Sequence, residues 1–168
     1  AVVEHGSQTR KHSTTPYVVH PLRVAMRVSE VPGATTEMVV AALLHDVVED
    51  TTLAPVFIDH TFGREVLEMV LALSNPAPEP GVNRLARKAA VRARLADAPI
   101  GVQTIKAADL QDNVMSYAAD VGKNPEAMSF VRDTYLRECR MASEVLTKAD
   151  VALREELADS LDHLEMLV

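Results

Sequence analysis

One histidine and three carboxylates fall within six consecutive positions of the stretch Ala41-Ala42-Leu43-Leu44-His45-Asp46-Val47-Val48-Glu49-Asp50-Thr51. On a continuous helix each residue advances about 100°, which puts Glu49 about 40° from His45, Asp46 about 100° and Asp50 about 140°, with the small Ala42 at about 60° inside that arc. Val40, Leu43, Leu44, Val47 and Val48 occupy the opposite side, as a core-facing stripe does. Three acids this close repel one another unless a cation joins them. An imidazole beside hard carboxylate oxygens suits a divalent transition metal. A solvated acidic helix end satisfies the same pattern, so the reading as a metal site needs further donors elsewhere in the chain.

Two other stretches offer them. In Ile105-Lys106-Ala107-Ala108-Asp109-Leu110-Gln111-Asp112-Asn113, helical spacing places Asn113 about 40°, Lys106 about 60° and Ser116 about −20° from Asp109. One face then carries an acid, an amide, an ammonium and a hydroxyl, the groups that bind a metal and hydrogen-bond a sugar or phosphate. A polar face turned to water is the alternative. The loop Arg10-Lys11-His12-Ser13, with Tyr17 and His20 behind it, concentrates cations able to meet phosphate oxygens; a basic surface loop is again the alternative.

The elements that must position these groups read as helices throughout. Pro21 is expected at the first position of a helix running to about Val28, with His20 extended at its cap. Thr35 or Thr36 caps the central helix, with Glu37 in its first turn. Thr51 or Thr52 opens a short helix to about His60, and Gly63 turns the chain into a helix over 65–74. A Pro-rich loop over 76–81 leads to a basic helix over 84–95. Further helices are expected from Gln103 to about 120, over 125–146 and over 151–167. No strand pattern and no repeat is present, and the fold class is all-α.

At 168 residues the chain forms one domain with a real core. A net charge of −7 argues against a nucleic-acid polymer and leaves room for a small polyphosphate only beside a local basic cluster or a metal. Cys139 stands alone, which excludes a disulfide framework and a cysteine zinc site; it is read as a packed thiol. The longest apolar run, Met38 to Leu44, is too short to span a membrane. No leader is visible, and a cytoplasmic location is expected. His5, His12, His60 and His163 lack companions at metal-binding spacing, which favours one metal over two. The long C-terminal helices offer a surface for pairing with a second copy.

Taken together, Gln8-x-Arg10-Lys11, Pro16-Tyr17-x-x-His20-Pro21, Leu43-Leu44-His45-Asp46-Val47-Val48-Glu49-Asp50-Thr51, Phe62-Gly63-x-Glu65-Val66 and Ile105-Lys106-x-Ala108-Asp109-x-x-x-Asn113 resemble the hydrolase domain of RelA/SpoT proteins, above all its small stand-alone versions. Order and spacing hold over residues 5–120. The resemblance implies an HD-domain helical bundle with two extra C-terminal helices, residues 1–120 forming the catalytic core and 121–168 supporting it. It implies one divalent ion, usually manganese, on His20, His45, Asp46 and Asp109, with Glu49 and Asp50 activating or orienting the attacking water. Arg10, Lys11 and Asn113 would hold the nucleotide, with Tyr17, Ser116 and Lys106 nearby. The implied reaction removes the 3′-diphosphate of guanosine tetra- or pentaphosphate as pyrophosphate. The alternatives are a phosphohydrolase for another nucleotide, such as the 2′-phosphate of NADPH, and a nucleotide-binding module without catalysis. The sequence departs from the pattern at Leu110 and Asp112, where long members carry a basic residue and a His or Tyr, and at His12, which replaces a third loop cation. Lys88, on the basic helix, either supplies a phosphate contact or belongs to a solvated face.

Overall fold

The computed structural model describes residues 1–10, 14–75, 80–121, 123 and 125–168. Its elements are α1 (Val2–His5), α2 (Val19–Ser29), α3 (Thr36–Leu44), α4 (Val47–Asp50), α5 (Pro55–Phe62), α6 (Arg64–Leu73), α7 (Arg84–Asp97), α8 (Ile100–Ala119), α9 (Pro125–Phe130), α10 (Leu136–Ser143) and α11 (Val151–Leu167). The fold is all-α, as the sequence predicts. Among the described residues the only β pairing is an isolated bridge, Thr9 to Pro16, closing the loop that precedes α2.

α8 is the axis. Its residues from Gly101 to Ile105 and from Ala107 to Asp112 are buried on every side, because α2, α3, α6 and α11 all pack against it. A helix surrounded in this way should be apolar all round. α8 instead buries Gln103, Thr104, Asp109, Gln111 and Asp112, and each of these must find partners inside the protein. Gln103 donates to the Leu95 carbonyl at 2.8 Å and accepts from the Lys148 amide at 2.8 Å, Thr104 accepts from the Asp150 amide at 3.2 Å, and Gln111 donates to Glu156 at 3.0 Å. These three tie α8 to its neighbours; Asp109 faces the cleft and Asp112 turns to His20. Of the face that sequence alone allowed to be solvated, Asp109 is buried and Lys106, Asn113 and Ser116 line the cleft. Leu153, Leu157, Leu161 and Leu164 recur on the face that α11 lays against α8, and all four are buried. At roughly 1.5–3 kcal/mol per buried leucine, that seam is a large share of the fold's apolar stabilisation.

Several boundaries differ from the sequence reading. Thr35 does cap α3, its hydroxyl accepting from the Met38 amide at 3.2 Å. Pro21, however, is the third helical residue of α2 and not the first: Val19 and His20 already donate to the carbonyls of Pro16 and Tyr17. The first four amides of a helix lack helical acceptors, so proline is tolerated anywhere in that turn, and His20 is inside the helix, not at an extended cap. Thr51 does not open α5. It turns its hydroxyl back to the Val47 carbonyl at 2.6 Å, and α5 begins at Pro55. α8 starts three residues before Gln103, directly after Pro99. The helix expected over 125–146 ends at Ser143 and passes through a π-helical turn, Val131–Tyr135, between α9 and α10. That turn presents Tyr135 to Tyr117 of α8, with ring centroids 4.7 Å apart. No helix is long and apolar enough to cross a membrane among the described residues.

Candidate metal and phosphoryl site

The central helix does not run through the His-Asp pair. α3 stops at Leu44, Asp46 takes φ −100° and ψ −9°, and its carbonyl accepts from both the Glu49 and the Asp50 amides, starting the fresh turn α4. This break corrects the helical-wheel geometry. A continuous helix separates His45 and Asp46 by about 100°, yet Asp46 Oδ2 lies 3.0 Å from His45 Nε2. Ala42, expected in the polar arc, is fully buried, and its carbonyl accepts from His45 Nδ1 at 2.7 Å.

α2 brings a third donor and α8 a fourth. His20 Nε2 is 3.6 Å from Asp46 Oδ2 and 3.2 Å from Asp109 Oδ1; His45 Nε2 is 3.7 Å from Asp109 Oδ1. His20, His45 and Asp46 each offer one ligand atom, all within 4.8 Å of one another. Asp109 is gripped from both sides, by Lys106 on Oδ2 and by the Asn113 amide on Oδ1, each at 2.6 Å. Tyr17 donates its hydroxyl to Asp46 Oδ2 at 2.6 Å.

The electrostatics follow from crowding acids and imidazoles out of water. Burial works against the imidazolium of His45, but Asp46 and Asp109 outweigh it and raise its pKa to about 10. His20 is raised in the same way, burial being overcome by Asp109 and Asp112. Burial also opposes the charge on Asp109, yet Lys106 and the two histidines hold its carboxyl well below the usual range. Burial and the neighbouring Asp46 charge push the Tyr17 hydroxyl far up, so it stays a donor. Burial and Asp46 also raise Asp50.

His45 supplies the test of whether a cation belongs here. Its Nδ1 donates to a carbonyl, which leaves the buried Nε2 as the atom turned to the carboxylates, 3.0 Å from Asp46 Oδ2 and 3.7 Å from Asp109 Oδ1. Carboxylates crowded around these two imidazole nitrogens out of water require a positive charge among them, supplied either by protons on the rings or by a bound cation. A divalent cation fits that point. His20, His45 and Asp46 are able to hold such an ion.

A cleft of about 310 Å³ opens over this cluster, lined among others by Arg10, Glu49, Lys88, Asn113, Ser116 and Tyr135. Arg10 donates to Asn113 Oδ1 at 2.6 Å and stacks over the Tyr17 ring, its guanidinium carbon 5.7 Å from the centroid. Lys11 and His12 lie outside the described residues. Lys88 lines the cleft, and burial next to Lys106 lowers its pKa. Leu110 lies in the cleft wall, and Asp112 meets His20 behind it. His5 packs on Tyr17 with centroids 4.7 Å apart, while His60 and His163 are exposed.

Sequence reasoning missed Asn75. Its backbone amide donates to Glu49 Oε2 at 2.9 Å and its side-chain amide to both Glu49 oxygens, at 3.0 and 3.1 Å. Arg94 donates to the neighbouring Ser74 carbonyl at 2.7 Å and anchors that turn. The only local signal was an Asn before Pro76 at a helix end, which reads as punctuation. Tyr117, Met128 and Tyr135, also unforeseen, complete the apolar side of the cleft.

Helices converging two histidines and two aspartates beneath a polar cleft define an HD-type hydrolase. The HD domain family matches residues 1–122, and the chain belongs to that family. Its likeness within the family is to the small SpoT-like hydrolases. A Xenopus tropicalis protein named guanosine-3′,5′-bis(diphosphate) 3′-pyrophosphohydrolase MESH1 is 34% identical over 99% of this chain and 89% of its own. The solved structure of a metazoan orthologue of SpoT that hydrolyses ppGpp superimposes with a TM-score of 0.78 and 25% identity, over 96% of this chain and 89% of that one. An Aquifex aeolicus guanosine-3′,5′-bis(diphosphate) 3′-pyrophosphohydrolase is 43% identical over 40% of this chain; the match spans about a tenth of that long relative.

Proposed function

We propose that the protein is a manganese-dependent 3′-pyrophosphohydrolase of guanosine tetra- and pentaphosphate. His20, His45, Asp46 and Asp109 would hold one ion, which when bound supplies Lewis acidity and an acidified water. The observation that carries this reading is the convergence of the buried Nε2 atoms of His20 and His45 on the carboxylates of Asp46 and Asp109. Mixed imidazole and carboxylate donors suit manganese, and the small SpoT-like relatives support the substrate.

The remaining roles belong to the chain's own groups. Glu49 orients and deprotonates the attacking water, its carboxylate fixed from behind by Asn75. Asp50, with its raised pKa, is placed to carry the proton onward. Lys106 keeps Asp109 anionic and brings positive charge to the cleft. Arg10, Lys11 and Asn113 hold the nucleotide, Ser116 adds a hydroxyl, and Tyr17 steadies Asp46. Lys88 serves the diphosphate from the opposite wall. In the reaction the ester bond between phosphorus and the ribose 3′-oxygen breaks. The water oxygen leaves in pyrophosphate, and the 3′-oxygen takes a proton to give GDP or GTP. Residues 1–120 form the catalytic core, and 121–168 support it.

The test is pyrophosphate release from a panel of guanosine 3′-diphosphates, other nucleotides and NADPH, with manganese-loaded protein. Turnover of the guanosine 3′-diphosphates, lost on chelation and restored by manganese, is expected. Turnover confined to another member would replace the substrate assignment.

A further inference from the structure

His20 and His45 turn the same atom, Nε2, to the same point, but their second nitrogens are held by different chemistry. His45 Nδ1 meets a neutral acceptor, the Ala42 carbonyl, at 2.7 Å. His20 Nδ1 meets a full charge, Asp112 Oδ2, also at 2.7 Å. Asp112 follows Asp109 by three residues on α8, so one helical turn addresses both nitrogens of a single ring: Asp109 Oδ1 stands 3.2 Å from Nε2 while Asp112 holds Nδ1. The pair is sealed from solvent, with His20 2% and Asp112 4% exposed. Among the described residues, the one other side chain in ion-pair range of Asp112 is the Arg23 guanidinium, 3.8 Å from Oδ1 and itself exposed.

A carboxylate on the far nitrogen of a ligating histidine fixes the tautomer, locks the ring and raises the basicity of the coordinating nitrogen; losing such a partner typically weakens metal binding about 10- to 100-fold. We infer that Asp112 is a positioning residue for the metal, holding His20 as the Nδ1–H tautomer and strengthening its grip on the ion through charge, a role that the backbone carbonyl behind His45 does not duplicate. This rests on the ligand set proposed above and adds to it a residue that touches neither ion nor substrate.

The experiment is calorimetric titration of metal-free protein with manganese chloride, comparing the wild type with Asp112→Asn and Asp112→Ala. The Asn variant keeps the shape and can still accept from Nδ1–H, so it isolates charge. The expected result is a Kd raised about 10-fold for Asn and up to about 100-fold for Ala, with helical circular dichroism unchanged. An Asn variant that binds within twofold of the wild type overturns the inference and leaves the ligand set standing. A wild type that binds no manganese removes both. In the zinc-loaded wild type, nitrogen NMR of the His20 ring should show its proton on Nδ1; a proton on Nε2 overturns the inference even if the variants fail to fold.

Discussion

The floor and the mouth of the cleft are built by different means. At the floor, His20 and Asp109 ride on the packed helices α2 and α8 and His45 ends α3; all three are at most 5% exposed, each imidazole is held at Nδ1, and Asp109 is held at both oxygens. At the mouth, Glu49 and Asp50 sit on a four-residue helix and are exposed, while Arg10 belongs to a loop. Each mouth group leans on one remote partner: Glu49 on Asn75, the Asp50 carbonyl on Gln8, Arg10 on Asn113. A buried cluster of charges tolerates no missing member, because whatever is left behind is uncompensated. Exposed groups held by single hydrogen bonds fail gradually. Damage to the floor should therefore be all-or-none, and damage to the mouth graded.

The severest expected loss is His45→Ala, which leaves Asp46 and Asp109 facing each other without their shared imidazole. Hydrolysis should fall below detection and calorimetry should show no manganese binding; retention of both would break the contrast at its floor. Next, Glu49→Gln should lower kcat by about 10²- to 10⁴-fold, the usual range for a lost general base, with manganese affinity unchanged. A Gln variant that also loses metal would place Glu49 in the floor.

Asn75→Ala should cost about 10- to 100-fold in kcat, since a small misplacement of a reacting group is enough for that, with KM changed less than about threefold. Combined with Glu49→Gln it should add almost nothing, because two residues acting as one unit do not lose twice. A rise in KM alone would make Asn75 a substrate contact. The smallest effect belongs to Cys139, buried in the wall behind Lys88, where burial pushes the thiol up to about 11. At pH 8 the thiolate fraction is then about 0.1%, so alkylation of the native protein should run over about a hundredfold slower than in urea, and Cys139→Ser should leave kcat within about twofold.

The helical class, the cap at Thr35, the helix over 151–167 and the donor types at the cleft floor were legible before folding was considered, because each depends on neighbours one to four residues away. Asp112 was visible only as a departure from a pattern. Its partner is 92 positions off, and no periodicity links α2 to α8. Asn75 was invisible for the same reason, its bond to Glu49 spanning 26 positions.

By itself the sequence determined which chemical groups are present and which stretches coil, since turn-by-turn periodicity and capping are local energies. Only the tertiary structure decided how those groups meet. It broke the central helix at His45–Asp46 so that adjacent side chains face the same point, chose which nitrogen of each imidazole is left free, and set Asp112 and Asn75 behind the groups they hold. Those choices are made by burial: once α8 is enclosed, every polar atom on it must find a partner from a distant segment, and the partners available there are fixed by packing.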